Sequence, residues 1–247
     1  MNSNGELMRD KKEAAPGGGE AEVARIREAY ARRAAAGKSG LYSVFNPAAL
    51  FARQQREKEI VRLLAASGRA DLSRSRILDL GCGTGGVLRD MIGYGAFPAN
   101  CSGFDLLPDS IEAARRAGPG VDFRCGNAEE LPYADGRYDI VILFTVLTSI
   151  LDGRMKRRLA AEAMRVLAPG GCILYFDYIF DNPRNPDVRG VGRAELESLF
   201  PGAALRLKRT TLAPPLARAI APRSQLLCQL LEMIPLLRTH YIGVIVK

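Results

Sequence analysis

Asp79, Gly81, Gly83 and Gly85 alternate at the end of an apolar run, Ile77-Leu78-Asp79-Leu80-Gly81-Cys82-Gly83-Thr84-Gly85-Gly86. Glycines that follow a strand let backbone N–H groups approach a ligand, because no Cβ stands between them. The helix that comes next points its positive N-terminal end at the same place. Two patterns fit these letters. Gly81, Gly83 and Gly86 satisfy the dinucleotide spacing G-x-G-x-x-G, while Gly81, Gly83 and Gly85 satisfy G-x-G-x-G with Asp79 two residues ahead. A carboxylate just inside the strand end repels a pyrophosphate but suits a ligand that carries an ammonium and a sulfonium. That favours the second pattern, with a nicotinamide dinucleotide as the alternative.

S-adenosylmethionine is such a doubly cationic ligand, and Asp79-Leu80-Gly81-Cys82-Gly83-Thr84-Gly85 resembles motif I of the class I methyltransferases. The resemblance extends in order from about residue 76 to 178. Asp105, 24 residues beyond Gly81, stands where the family accepts the ribose hydroxyls, and Leu106 where it packs on the adenine. Gly126-Asn127-Ala128-Glu129-Glu130-Leu131-Pro132 resembles the family's G-D-A-x-x-L-P segment, with Asn127 in place of the acid that accepts the adenine amino group. Phe144-Thr145 matches the position beside the bound cofactor, and Arg165-Val166-Leu167-Ala168-Pro169-Gly170-Gly171 the structural turn before strand five. The resemblance thus implies S-adenosylmethionine held by Asp79, Gly81, Cys82, Gly83, Gly85, Asp105, Leu106, Asn127, Ala128 and Phe144. It also implies a Rossmann-like fold.

Those residues sit at the ends of apolar stretches that alternate with helical patterns. Strands are expected at 76–80, 101–105, 121–125, 138–144 and 172–178, with helices through Ile92 and over 108–117 and 156–167. Strands separated by helices pair in parallel through right-handed crossovers, and residues 138–144 have the unbroken β-branched and apolar character of a strand covered on both faces. Further strands at 204–211 and 239–246 complete a doubly wound α/β fold. Its mostly parallel seven-stranded sheet has helices on both faces and an antiparallel last strand. The domain reading is a flexible leader at 1–19, a helical cap at 20–70 and the Rossmann-like domain at 71–247, with a helical insertion at 212–238.

The acceptor side is less legible. Asp177 and Tyr178 end the fifth strand, and the polar, proline-held loop that includes Asn182 follows; these, with Tyr42 ahead of the core, are the candidate acceptor contacts. No general base stands out, and the single histidine, His240, reads as a hydrogen-bonded structural residue. In-line transfer from an activated donor chiefly requires alignment and exclusion of water. No metal site is expected, since the five cysteines form no CxxC pair.

Charged residues make up 25% and apolar ones 47%, which is ordinary globular composition. The net charge of +8 comes from scattered basic residues with no aromatic interleaving, which argues against a nucleic-acid partner. An odd cysteine count and a charged first 20 residues point to a cytoplasmic protein with reduced thiols. The Leu226, Leu227, Leu230, Leu231, Ile234 stripe fits a packed helix, a substrate lid or peripheral membrane contact. The expected function is methyl transfer to a small-molecule acceptor such as a metabolite, sugar or lipid-linked hydroxyl. RNA methylation and non-catalytic binding of the cofactor are the alternatives.

Overall fold

The computed structural model describes residues 18–37, 40–41, 43–183 and 185–247. Tyr42 and most of the leader therefore lie outside the described residues. Seven strands form one sheet: β1 (Ile77–Leu80), β2 (Cys101–Asp105), β3 (Asp122–Cys125), β4 (Tyr138–Phe144), β5 (Leu167–Tyr178), β6 (Ala204–Leu212) and β7 (Arg238–Val246). They lie in the order β3-β2-β1-β4-β5-β7-β6. Neighbours pair in parallel from β3 through to β5, and β7 runs antiparallel to both β5 and β6. The order reverses between β1 and β4, so the crevice outside their C-terminal ends is where such a sheet binds ligands.

Strand parity sorts the side chains into two layers. Leu78, Leu80, Val141, Leu143, Ile173 and Tyr175 pack on Met155, Leu159, Ala163 and Val166 of α5 (Gly153–Val166). On the opposite face Ile77, Ile140, Ile142, Phe144, Leu174 and Phe176 meet α2 (Pro47–Ala66), α3 (Gly86–Gly93) and α4 (Pro108–Ala117). Helix α1 (Gly18–Ala35) lies over the C-terminal edge of the sheet, its Ile26 joining the first layer. Three shorter helices follow: α6 (Arg193–Leu199), α7 (Pro214–Ile220) and α8 (Gln225–Glu232).

Three details depart from the sequence expectations. Helix α5 begins at Gly153 rather than Lys156, because the Asp152 carboxylate caps it, accepting from the N–H groups of Arg154 (2.6 Å) and Met155 (3.0 Å). Strand β5 begins at Leu167, not Cys172; Leu167 pairs with Tyr138 across a register shift. Helix α6 was not expected. Only Leu196 and Leu199 are buried along it, too few to give seven residues a periodic signature.

Candidate functional site

The turn after β1 is drawn against the end of β2 by two backbone bonds: the N–H groups of Gly81 and Cys82 donate to the Phe104 carbonyl at 2.7 and 3.2 Å. Gly81 has φ +73°, and a Cβ there would lie 2.6 Å from Val146 Cγ2, so glycine is required twice over. Gly83 also has positive φ, but a Cβ there would enter open space. That space belongs to a cavity of about 140 Å³ lined by Gly81, Gly83, Asp105, Leu106, Asn127, Ala128 and Phe144. Seven of the ten residues expected to hold the cofactor thus converge on one cavity.

The other three lie behind it. Gly85 is the left-handed N-cap of α3. Cys82 is buried, and its thiol is pushed far up by burial and by the charges of Asp79 and Asp105. Asp79 points into the α2–α3 layer, 2% exposed, with Oδ2 lacking any hydrogen-bond partner among the described residues. Burial and the neighbouring Asp105 charge hold its carboxyl well above the usual carboxylate range, partly opposed by Arg56.

Asp105 does two jobs in the backbone. Its Oδ2 accepts from the N–H of Gly83 at 2.8 Å and its Oδ1 from the N–H of Leu107 at 2.9 Å, locking the two loops together. The carboxylate also lines the cavity, and an ionised carboxylate has about four acceptor sites. Asn127 Nδ2 donates to Glu129 Oε2 at 2.9 Å, and its Oδ1 accepts from the Glu129 N–H at 3.1 Å. Across the cavity, Thr145 has φ +56°, an unusual conformation for a β-branched residue, held because its N–H donates to the Phe176 carbonyl at 2.8 Å.

Helix α1 roofs the cavity with Ile26 and Tyr30. It is clipped down by Glu22, whose Oε1 accepts from the N–H groups of Leu151 and Asp152, and by Arg25, which pairs with Glu22 at 2.8 Å and donates to the Ser149 carbonyl at 2.7 Å. Burial works to raise the Glu22 pKa, but the bonds from Arg25 and the two N–H groups prevail and lower it. Tyr30 Oη lies 3.3 Å from Ser149 Oγ. Between α1 and α5 a cleft of about 660 Å³ shares Leu106, Asn127 and Met155 with the inner cavity.

The expected acceptor residues do not come together. Asp177 is fully buried on the α5 side, and its carboxylate accepts from Thr148 Oγ1 (2.6 Å), the Thr148 N–H (3.1 Å) and the Tyr178 N–H (2.9 Å). Burial pushes it up to about 6. It holds the 147–149 turn that forms a cavity wall instead of facing an acceptor itself. Asn182 lies exposed in the loop beyond β5. Tyr178 faces the ring of His240 at 3.9 Å between centroids, and His240 stacks on Phe176 at 4.8 Å. His240 is buried, shares a 3.0 Å contact with Thr239 Oγ1 through Nδ1, and is pushed down to about 3 by burial and by Arg56, so it stays neutral.

Arg56 is the residue that sequence reasoning missed. It projects from α2 over the rings of Phe144 (5.9 Å) and Phe176 (5.7 Å), and its Nε is buried with no hydrogen-bond partner among the described residues. In the sequence it stands among Arg53, Gln54, Gln55, Glu57 and Lys58, where nothing separates it from a solvated helix face.

Residues 77–171 match the methyltransferase-domain family. The chain is 34% identical over 158 residues to the phthiotriol/phenolphthiotriol dimycocerosates methyltransferase of Mycobacterium leprae, covering 63% of this chain and 54% of that protein. It is 36% identical over 115 residues to the fatty-acid O-methyltransferase of Mycolicibacterium smegmatis, covering 46% and 40% respectively. The chain therefore spans about half the length of these relatives or less. Its fold is shared with an S-adenosylmethionine-dependent methyltransferase from Mesorhizobium loti, at a TM-score of 0.54 and 17% identity over 74% of this chain and 96% of that one. Residues 77–171 are thus a methyltransferase domain by their match, and the sheet order around them is that of the Rossmann-like methyltransferase fold.

Proposed function

We propose that this protein moves the methyl group of S-adenosylmethionine to a small apolar acceptor, a lipid or lipid-like molecule, at the edge formed by the C-terminal ends of β4 and β5 and the start of β7. The observation that carries the reading is the glycine corner beside two carboxylates. A cradle with no Cβ at Gly83, the lone pairs of Asp105 and the partnerless oxygen of Asp79 together fit a ligand with a ribose and cationic groups. When bound, the cofactor supplies an electrophilic methyl on a positively charged sulfur.

The chain's own residues would then divide the work. Asp105 accepts the ribose hydroxyls. Leu106, Ala128 and Ile26 give apolar walls to the adenine, and Asn127 borders it. Asp79 and Arg56, groups of opposite sign whose buried Oδ2 and Nε have no hydrogen-bond partner among the described residues, complement the ammonium and carboxylate of the amino-acid arm. Helix α1 excludes water. His240, neutral with a pKa of about 3, is too weak a base to take a proton from an alcohol near pH 7. Rate then comes from alignment, which supplies roughly 7–11 kcal/mol in favourable cases.

The apolar acceptor rests on Phe144, Phe176 and Tyr178 at this edge and on the names of the two relatives. Calorimetry with S-adenosylhomocysteine and transfer of labelled methyl groups into fractionated lipid extract test both halves. Tight homocysteine-adduct binding with label in a lipid fraction is expected. Absence of binding removes the cofactor reading, and label appearing only in polar metabolites or RNA removes the acceptor reading.

A further inference from the structure

Helices α7 and α8 and the turn Pro235–Leu237 join β6 to β7. Their inner face is well packed: Ala217, Ala221 and Cys228 are buried against Ala48 and Phe51 of α2, with Leu231 and Leu237 alongside. Their outer face is apolar as well. Leu226, Leu227, Leu230, Met233, Ile234 and Leu236 are all exposed, Leu226, Met233 and Leu236 to 66, 70 and 83%. At 100° per residue, the first five fall within an arc of about 120°, with Cys228 opposite and Leu231 at its margin. A helix apolar on both sides belongs in a core or at a membrane interface.

Charge chooses between a lipid surface and a second copy of the chain. From residue 201 onward the sequence has seven basic side chains and one acidic one; Lys208 pairs with Glu59 of α2. The one acid, Glu232, is turned inward and accepts from the Thr211 N–H at 2.8 Å. Arg218, in the last turn of α7, and Arg223, in the turn that leads into α8, are exposed, and neither has a carboxylate partner among the described residues. Two such faces laid together would bring like charges into a dry contact, whereas a bilayer with anionic headgroups offers both an apolar boundary and phosphates.

The position fits as well. The 235–237 turn feeds directly into β7, whose His240 pairs with Tyr178 at the acceptor edge. On the same edge Phe180 is exposed, with the Arg209 guanidinium 5.9 Å above its ring. Ahead of α2, Val44 and Phe45 are exposed three to four residues before Ala48, which joins the α7–α8 cluster.

We infer that the Leu226–Leu236 face, preceded by Arg218 and Arg223, docks flat on an anionic lipid bilayer and brings the acceptor edge to the membrane surface. Docking needs neither cofactor nor acceptor, so it stands or falls separately from methyl transfer. The test is flotation of the full chain with vesicles of phosphatidylcholine alone or with about one-quarter phosphatidylglycerol. Binding to the anionic vesicles is expected, at least about tenfold tighter than to the neutral ones and falling as salt rises. At about fivefold per arginine, R218S/R223S weakens it about 25-fold. L226S/L230S/L236S, all exposed positions, reduces it at least tenfold while melting temperature and S-adenosylhomocysteine affinity stay unchanged. Wild-type protein left at the bottom of the anionic gradient overturns the inference, as does undiminished binding by the serine triple variant. A dimer in sedimentation equilibrium that the triple variant converts to monomer, without vesicle capture, assigns the face to a second copy instead.

Discussion

Asp105→Asn separates the two roles proposed for this carboxylate. In the structure both oxygens already accept a backbone N–H, from Gly83 at 2.8 Å and from Leu107 at 2.9 Å. An amide has one oxygen, so whichever way it turns, its NH2 faces one of those N–H donors. An unsatisfied buried donor costs about 1–3 kcal/mol. Against this, the carboxyl is raised by burial, so removing its charge recovers part of that penalty and relieves Asp79. The melting temperature should therefore fall by only about 2–5 °C, at 2–4 °C per kcal/mol for a chain of this size. Ligand binding should suffer more. One lost charge-assisted hydrogen bond to the ribose is worth about 1.5–3 kcal/mol, or roughly 10–100-fold in the S-adenosylhomocysteine dissociation constant.

Calorimetry should compare S-adenosylhomocysteine with its 2′-deoxy analogue on both proteins. If Asp105 grips the ribose, wild type penalises the deoxy ligand and the variant penalises it much less, because the partner is already gone. An unchanged deoxy penalty in the variant would refute the ribose role, leaving Asp105 as a loop fastener. Unchanged affinity for the parent ligand would refute it more directly.

Arg56→Met should weaken S-adenosylhomocysteine about 10–100-fold yet leave 5′-methylthioadenosine, which lacks the amino-acid arm, unaffected; equal losses for both ligands would place the effect in the α2 packing. Glu22→Gln removes the charge that holds Arg25 and weakens the bonds to the Leu151 and Asp152 N–H groups. Proteolysis of the α1 segment should accelerate about tenfold and KM for the cofactor rise, which limited trypsin digestion and kinetics measure. His240 is held neutral, its pKa pushed from 6.5 to about 3, so its contribution to stability is whole above 6.5 and declines as pH falls toward 3. His240→Phe should lessen that acid loss by about 3 kcal/mol relative to wild type, read from urea midpoints at pH 7 and pH 4. Of the five cysteines only Cys125 is exposed, so a thiol reagent should label one site in native protein and five after unfolding.

How far the sequence anticipated this site depends on what kind of signal each residue leaves. The strand ends at Leu80, Asp105 and Cys125 were legible because a glycine or an acid stops each run, whereas Phe144 closes an unbroken apolar run before Thr145. The seven cavity residues stand at or just beyond those ends, where the resemblance to the methyltransferase family put them. Asp177 shows where the logic stops. Alternation along β5 says that Asp177 lies on the face opposite Phe176, but the letters do not say which face borders the cavity and which meets α5. Arg56 was invisible for a related reason: its helix is charged almost all round, and only tertiary packing sets one guanidinium over two aromatic rings. The start of β5 was misplaced because Pro169-Gly170-Gly171 is ordinarily turn chemistry, here absorbed into the strand through the Leu167–Tyr138 pair.

The corner is electrostatically costly as it stands. Asp79 and Asp105 are both raised by burial, and Asp105 raises Asp79 further. Arg56 offsets part of this for Asp79, yet it is drawn off over Phe144 and Phe176, and neither Asp79 Oδ2 nor Arg56 Nε has a hydrogen-bond partner among the described residues. Replacing a buried ionisable group with a well-packed apolar one is often neutral or stabilising, so stability alone gives no reason for an acid at 79. Thr145 adds backbone strain on the opposite wall. Local rules broken together at one sheet edge mark the place where a chain gives up stability for binding. A ligand that is cationic near Asp79 and anionic near Arg56 converts both partnerless groups into paired ones, and the differential gain falls on the bound state alone.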